Sequence, residues 1–394
     1  MIDFPNSPTV GQTFTAAGVT WTWDGTKWTG NGLNTPYLPL AGGTLSGPLT
    51  LVGNPVAPLQ PATKQYVDYI EAAYPLGDNH IINGDMLIDQ RGVASGAGGT
   101  VTGYTVDRWM YGGNTASPVG TWTRVNSTAM AANGFPSVLM FTSSTAHTSV
   151  ATDAISFFQC IEADMLPDFA FGTAGAQPVT LSFWVNVSIA GTYSGALCNY
   201  LGTRAYPFLF AVPVGWTKVV VTIPGDTAGT WTLLGNGGSL YVCFDLGCGA
   251  NYRGPAGAWG NGGWNGANGA ANIVATNGAY YQLTGVKLEI GTVATPYNRE
   301  SVTKKVADCQ RYYCVGNILL IGYSAATAGV GVGYTLPVNM RATPTLVLTG
   351  ASGNNNVNSV ALGAYSPREI YGTGVVVTTA GFQLQCQWTA SAEL

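Results

Sequence analysis

Short apolar runs, separated by turns of glycine, asparagine and proline, occupy most of the chain between residues 77 and 300. Stretches such as LSFWVNV alternate apolar with polar side chains, as strands with one buried face do. Turn residues follow one another too closely here for helices of ordinary length. The region is therefore restricted to an antiparallel β-sandwich or jelly roll. The clearest runs are 121–125, 137–142, 179–188, 216–224, 239–247 and 280–291.

Charge is scarce in this sequence. Only 9% of the 394 residues are charged, whereas ordinary soluble domains contain roughly 25%. The 15 basic residues are scattered singly and the net charge is −4, which argues against a nucleic-acid groove. The 11 Trp, 20 Tyr and 13 Phe supply far more burial than a disordered chain carries. The N-terminus lacks the features of a signal peptide and no apolar run is long enough to cross a bilayer, so we expect no membrane insertion.

The cysteines and carboxylates leave metal binding open. Seven widely spread cysteines favour assembly in a reducing cytosol over a disulfide framework. The spacing of Cys243 with Cys248, and of Cys309 with Cys314, permits a zinc site, although their aromatic neighbours favour buried apolar thiols. Jelly-roll modules often bind a structural calcium ion, so we assign no cofactor and no metal residues but keep calcium as an alternative. Its candidate ligands are Asp107, Asp153 and Asp245.

Residues 1–30 contain the pattern VTWTWDGTKWT, in which tryptophans alternate with threonines on both sides of an Asp24-Gly25 turn. This pattern predicts a β-hairpin module. Because so small a module is not stable alone, we expect it to pack on neighbours or on identical copies.

Residues 31–76 combine a Gly/Asn/Pro linker with short apolar triplets. Glycine and proline recur every few residues in 38–68, so neither a long helix nor an ordinary buried strand can run through that segment. At its end ATKQYVDYIEAAY predicts a short helix with Thr63 as N-cap. An isolated helix of this length is marginal in water, so its apolar stripe needs partners, which three parallel copies would supply.

The ordered string LPLAGGT, SGPL and ATKQYVD resembles the collar or shaft repeat of tailed-bacteriophage tail fibres. The blocks INGDMLIDQRG, GYTVDRWMY, VKLEIGTVATPYNRE, CQRYY and MRATPT are similar to recurring blocks of the same family. The resemblance implies a mainly β, intertwined homotrimeric fibre. Its expected parts are an attachment module (1–30), a linker and trimeric neck with a short helix (31–76), a jelly-roll-like antiparallel β-sandwich similar to carbohydrate-binding modules (77–300), a connecting helix (301–317) and a C-terminal β tip domain (318–394).

The same resemblance implies partners and a location. The N-terminus would bind the phage tail or baseplate, and the other end would bind a host surface glycan, lipopolysaccharide or capsule, or an outer-membrane protein. The protein would assemble in the host cytoplasm and reside on the virion tail. The neck would trimerise through apolar side chains, namely Leu38, Leu40, Leu45, Leu49, Tyr66, Val67 and Ile70.

The segment ESVTKKVADCQRYYCVG predicts a helix over 301–317. Ser301 is its expected N-cap. Val302, Val306, Cys309 and Tyr313 would share one face of it.

A catalytic interpretation has few residues to draw on. His80 and His147 are the only histidines, and no Gly-x-Ser-x-Gly elbow accompanies them. Paired carboxylates can cut polysaccharides, but no repeated coil period of a β-helical tailspike occurs here. We therefore predict that the protein is not an enzyme, with a polysaccharide-degrading or deacetylating tailspike as the alternative. The carboxylate candidates are Asp85, Asp89, Glu162, Asp164 and Asp168.

Asp107, Arg108 and Trp109 are a second candidate sugar site, because an Asp-Arg pair can bind a hydroxyl and an indole can stack on a hexose. They lie, however, in a block shared across the fibre family. We therefore expect a role in the fold, with Trp109 in the core and Arg108 paired to Asp107. Asp89 is likewise expected to pair with Arg91.

The loop 251–278 is the strongest candidate for a binding site. Loops of this length are usually functional or disordered, and this one sets Tyr252, Arg253, Trp259 and Trp264 among glycines and asparagines. Aromatic faces beside amides suit neutral sugars. The alternative is that these side chains plug the end of the sandwich or contact another subunit.

The resemblance implies a bacteriophage tail fibre or receptor-binding protein that adheres to the host surface, and the candidate loop makes a glycan the simplest receptor. A low charge suits neutral receptors better than acidic polymers. The second alternative, besides the enzymatic one, is a collar or baseplate decoration that binds no receptor.

Overall fold

A computed structural model describes residues 2–16, 18–31, 78–92, 100–350 and 354–394. The predicted neck and all its named residues lie outside this description. The chain divides into two compact units, 1–70 and 71–394. In the part that is described, no helix has both the length and the apolar character needed to cross a bilayer.

The first unit is a three-stranded antiparallel sheet around clustered aromatic rings. The Asp24-Gly25 turn joins two of its strands, and the Asp24 carboxylate accepts hydrogen bonds from the backbone of Thr26 and Lys27 at 2.9 Å each. The ring of Phe4 stacks on Trp28 at a centroid distance of 5.4 Å. The strands are β1 Thr13–Ala16, β2 Val19–Trp23 and β3 Trp28–Asn31.

The second unit begins with an antiparallel β-sandwich. As far as it is described, one sheet has the order β11-β10-β13-β8-β5-β4 and the other β12-β9-β16-β7-β6. All six runs predicted from the sequence are strands. The bounds are β4 Thr100–Tyr104, β5 Met110–Asn114, β6 Gly120–Asn126, α1 Thr128–Ala131, β7 Ser137–Ser143, β8 Ser156–Glu162, β9 Val179–Val187, β10 Gly191–Asn199, β11 Ala205–Val212, β12 Gly215–Ile223, β13 Gly238–Asp245, β14 Arg253–Gly254, β15 Gly266–Ala267 and β16 Tyr280–Ile290.

The two sheets enclose one aromatic-rich core. Phe183 projects between them and meets the rings of Phe210 and Phe244 edge to face, with centroids 5.1 and 4.9 Å apart. Trp109 is fully buried and its indole donates to the carbonyl of Asn83 at 3.1 Å. Trp109 therefore stabilises the fold, as its position in the shared block suggested. The predicted mainly β, jelly-roll-like class is confirmed, while the trimer stays a prediction.

The predicted helix over 301–317 is wrong in its extent. Helix α2 spans Val302–Gln310, and the Ser301 side chain caps it by accepting from the backbone N–H of Lys304. The chain then turns, and Tyr313 already belongs to strand β17. The reason is tertiary: from Tyr313 onward the backbone pairs with the C-terminal strand of the chain, with Tyr313 opposite Ser391, which a continuing helix would prevent. Of the residues expected to share one face, Val302 is 58% exposed and Cys309 is fully buried.

The C-terminal part is a second, smaller pair of antiparallel sheets, with orders β17-β22-β19 and β18-β21-β20. Trp388 is 1% exposed and lies in its separate apolar core. The strands are β17 Tyr313–Ser324, β18 Gly329–Thr335, β19 Thr345–Gly350, β20 Val357–Ala364, β21 Glu369–Val376 and β22 Ala380–Ser391.

A buried charge network connects this domain to the sandwich. The Glu393 carboxylate accepts from Arg91 at 2.7 Å and also from Arg108. Arg91 also donates to Asp107 at 3.1 Å. The predicted Asp107–Arg108 pair is therefore wrong, because Arg108 is turned towards the C-terminus and Asp107 is taken by Arg91 and Gln90.

The predicted pair of Asp89 with Arg91 is wrong for the same reason. With Arg91 occupied by the network, the Asp89 carboxylate accepts from the backbone of Gly92 at 2.9 Å. Its second oxygen lies 3.9 Å from Arg124.

All seven cysteines are free and buried. Burial raises the pKa of Cys160 and Cys198 to about 12 and that of Cys314 to about 11. Since the thiolate is the reactive form, we expect a thiol-specific reagent at pH 8 to leave the native protein unmodified and to label all seven thiols after denaturation. Rapid labelling of any thiol in the native protein would contradict this burial.

Candidate functional site

The loop 251–278 packs on the outer face of the six-stranded sheet. Ser194 and Asp245 point to this face because they alternate with the core residues Tyr193 and Phe244. The Ser194 hydroxyl accepts from the backbone N–H of Ala267 at 3.0 Å. The loop thus covers a sheet face that would otherwise be open to solvent.

Two of the four predicted contact residues hold this loop in place. The guanidinium of Arg253 donates to Asp245 at 2.7 Å and to two loop carbonyls, which leaves little of it for a ligand. The indole of Trp264 lies against the loop backbone, and a Cβ added at Gly254 would come within 2.3 Å of it. Tyr252 is partly buried in the same layer, where its carbonyl accepts from Asn265.

Trp259 belongs to a different place. Its indole donates to the carbonyl of Pro224 at 2.6 Å, and its ring meets Trp231 edge to face at 5.6 Å. Phe171 contacts both tryptophans, at 4.9 and 5.6 Å. The structure therefore does not bring the four predicted residues into one site, but it joins Trp259 to two aromatic residues from other loops.

These loops form what we call the aromatic groove, a shallow cavity of about 590 Å³. Segments 171–173 and 229–234 line it. Trp259 is not a lining residue but packs against Phe171 and Trp231. Phe171 is nearly fully buried and Trp231 is partly exposed. No ionisable side chain lines this groove. The lining residues are Phe171, Gly172, Thr173, Gly229, Thr230, Trp231, Thr232, Leu233 and Leu234.

A buried carboxylate fixes the orientation of Trp231. Asp226, 2% exposed, accepts from the indole N–H of Trp231 at 3.1 Å and from Arg204 at 2.9 and 2.5 Å. The hydrogen bond between Asp226 and Arg204 raises the pKa of the Arg204 guanidinium. The Asp226 carbonyl accepts from Gly172 at 2.7 Å, which ties the two loops together. Trp231 is therefore preorganised, and little conformational entropy remains to be lost on binding.

The chemistry of this groove suits a neutral sugar. A partly exposed indole offers a flat apolar face, and the neighbouring Thr230 and Thr232 carry hydroxyls that can donate or accept. The hydroxyl of Thr173 already donates to the Ala170 carbonyl and accepts from the Gly175 N–H. Sequence reasoning missed Trp231, Asp226 and their loop. The stretch GDTAGTWTLLGNGG shows the same signal as 251–278, an aromatic residue among glycines and threonines.

Four of the five carboxylate candidates accept hydrogen bonds from protein donors: Asp85 from Lys305, Asp89 from Gly92, and Glu162 and Asp164 as follows. Glu162 is buried and accepts from Arg311 at 2.6 Å and from the Tyr312 hydroxyl at 2.5 Å. Asp164 accepts from the backbone of Gly235, and Asp168 is exposed.

The two histidines also have structural partners. His147 Nε2 lies 2.7 Å from Asp153, which also accepts from the backbone of Val150. His80 is buried against Phe169 at a ring distance of 4.6 Å.

The carboxylates proposed for calcium are likewise bonded to protein donors. Asp245 accepts from the backbone of Gly247 and Cys248 as well as from Arg253. Within the described residues, no group of three or more His, Cys, Asp or Glu side chains could hold a metal ion.

No family model matches this sequence, and no curated protein sequence matches it. Among solved structures, similarity extends to a putative sugar binding protein from Bacteroides thetaiotaomicron, with 13% identity, a TM-score of 0.33 and coverage of 54% of this chain and 100% of that one.

Two further structures show comparable similarity. The enzymatically active domain of bacteriophage CBA120 tailspike protein 4 has 13% identity, a TM-score of 0.29 and coverage of 54% of this chain and 21% of that one. TmCBM61 in complex with beta-1,4-galactotriose has 10% identity, a TM-score of 0.28 and coverage of 54% and 99%. TM-scores this low carry no inference about function.

Proposed function

We propose that this protein is a receptor-binding protein of a bacteriophage tail and that its sandwich binds a neutral glycan on the bacterial surface through the aromatic groove. The observation that carries the proposal is the fixed indole of Trp231. It is partly exposed and oriented by the buried Asp226, and the groove in front of it is lined by threonines and apolar residues with no ionisable side chain among them. That combination recognises the apolar face and the hydroxyls of a sugar ring.

Two features of the sequence support the adhesive role. The blocks similar to tail fibres run through the chain, and the low charge leaves a surface suited to neutral receptors. In this proposal the N-terminal unit attaches the protein to the tail, and the neck assembles three chains. Three linked copies of a weak site raise avidity by roughly 10² to 10⁴ when the geometry permits simultaneous binding.

Replacing Trp231 by alanine should abolish most glycan binding. An aromatic hot spot contributes about 2 kcal/mol or more, which corresponds to about thirtyfold in affinity. The measurement is binding of the full chain to an array of bacterial surface polysaccharides, followed by titration of the best one. Tyr365→Ala is the matched control, because Tyr365 is 72% exposed on the C-terminal domain, outside the groove.

Equal binding by the Trp231→Ala variant and the unchanged protein would disprove the groove as the site. Release of reducing ends from the bound polysaccharide would instead support the enzymatic alternative. Absence of binding to the whole array, with intact folding, would favour a structural decoration protein.

A further inference from the structure

A small cavity opens on the outer face of the five-stranded sheet, beside a bulge in β16. The register of β16 with β9 shifts between Thr284 and Lys287, and Gly285 lies in the bulge with a φ of 62°. A Cβ added at Gly285 would come within 3.0 Å of Phe135 and 3.1 Å of Trp184. The glycine therefore leaves room for a cavity of about 200 Å³. Pockets for drug-sized ligands occupy roughly 300 to 1,000 Å³, so this one suits a single ring or substituent.

The cavity brings together the two cations of the sandwich that have no carboxylate partner. Residues 78–300 contain eight lysines and arginines, and six of them form ion pairs. The other two, Lys218 and Arg299, both line this cavity, and neither pairs with a carboxylate in the described part of the chain. Arg299 donates to the carbonyls of Gly134 and Asn133 at 2.6 and 2.7 Å, which fixes the guanidinium without neutralising it.

The carboxylates near the cavity do not cancel these two charges. Among the described residues, no Asp or Glu lines it. Glu289 is fully buried and pairs with Lys287 at 3.0 Å, so these two charges compensate each other. Asp78, Asp85 and Glu300 line a different cavity next to α2, where Asp85 and Glu300 pair with lysines of that helix. The lining of the cavity thus carries two uncompensated positive charges, which attract an anion.

Two uncharged donors line the same cavity. Ser182 and Trp184 alternate along β9 with core residues such as Phe183, so both side chains point to the outer face. Ser182 is only 4% exposed, yet its hydroxyl has no hydrogen-bond partner among the described residues, and the same holds for the indole N–H of Trp184. Both groups keep accessible surface at the cavity. The half-buried ring of Trp184 lies opposite Lys218 on β12, where its face can stack on a sugar ring.

We infer that this cavity binds one sugar unit that carries an anionic group, either a carboxylate or a phosphate ester. The anionic oxygens accept charge-assisted hydrogen bonds from Lys218 and Arg299 and a further one from the Ser182 hydroxyl. The sugar ring stacks on Trp184. The inference goes beyond the neutral glycan of the aromatic groove and does not depend on it, because the two cavities share no lining residue.

Fluorine NMR of the full chain labelled with 5-fluorotryptophan tests this inference. The resonance of Trp184 is assigned through Trp184→Phe. The protein is then titrated with glucuronate, galacturonate and glucose 6-phosphate, with glucose and galactose as the neutral counterparts. We expect a saturable shift with an acidic sugar and none with the neutral ones. Lys218→Gln should raise the dissociation constant at least about tenfold, because it removes a charge-assisted hydrogen bond.

Matched variants separate a local contact from a general effect of charge. Arg368→Gln removes one positive charge from an exposed residue of the C-terminal domain and should leave the affinity unchanged. Trp231→Ala, which alters the aromatic groove, should also retain the shift. A response to the uronates identifies the carboxylate, and a response to glucose 6-phosphate identifies the phosphate ester.

Four results would each overturn the inference. They are the absence of a saturable shift with every acidic sugar, an equal response to glucose or galactose, an unchanged affinity in Lys218→Gln, and loss of the shift in Trp231→Ala. Acetate and inorganic phosphate test the contribution of the ring. An affinity for these ions equal to that for the acidic sugars would show that the ring makes no contact with Trp184 and would contradict the assignment to a sugar.

Discussion

Replacing Glu393 by alanine should destabilise the protein by about 3–5 kcal/mol, the usual effect of removing one partner from a buried ion pair. The Glu393 side chain is 7% exposed and pairs with both Arg91 and Arg108. The Arg108 side chain is 2% exposed, and the partners it would keep among the described residues are the Cys160 carbonyl at 2.6 Å and the Tyr312 ring at 3.6 Å. Neither neutralises a buried guanidinium.

Urea unfolding monitored by tryptophan fluorescence measures this effect. Glu369→Ala is the matched control, because Glu369 is exposed on β21 of the same domain and belongs to no ion pair among the described residues. It should change the free energy of unfolding by less than about 0.5 kcal/mol. A Glu393 variant as stable as this control would refute the role of the network in joining the two domains.

Replacing Glu289 by glutamine should cost a similar free energy, about 3–5 kcal/mol. Lys287 and Glu289 are both fully buried, with Nζ 3.0 Å from Oε2. Lys287 also donates to the Pro296 carbonyl at 3.0 Å, and Glu289 accepts from the backbone of Thr295 at 2.8 Å. The pair therefore clamps residues 295–298 onto β16, and the variant leaves a buried ammonium without its anion.

The pH dependence of the Glu289→Gln variant gives an independent check. Burial already lowers the pKa of Lys287 below its ordinary value of 10.5, and loss of the carboxylate lowers it further. Between the folded-state pKa and 10.5 the unfolded chain binds more protons, so stability rises with pH. The deficit of the variant against the unchanged protein should shrink from pH 7 to pH 10. A deficit that grows over this range would contradict the assignment, and surface-exposed Glu300→Gln should show neither effect.

Alternation of apolar and polar side chains was enough to predict strands such as β9 and β12. Alternation is weaker in β10 and β13, because both of their faces are covered. The run of large apolar residues in β13 still predicted a strand, whereas GTYSGALCN in β10 was missed. Strands buried on both faces lose the periodic signal, since neither face must be polar.

Long-range partners were beyond sequence reasoning. Local arguments paired Arg108 with its neighbour Asp107, while the true partner lies 285 residues away at Glu393. The candidate site shows the same limit. Trp259 was singled out because its loop is long. Its partner Trp231 lies in the separate loop between β12 and β13, and only the tertiary fold brings the two rings together.

Glycan recognition is tested by binding of the fluorescently labelled full chain to a panel of intact bacterial strains, before and after periodate oxidation of surface sugars. We predict that periodate abolishes binding to every strain that the protein recognises and that Trp231→Ala reproduces this loss on untreated cells. Binding that survives periodate would contradict glycan recognition and indicate a protein receptor.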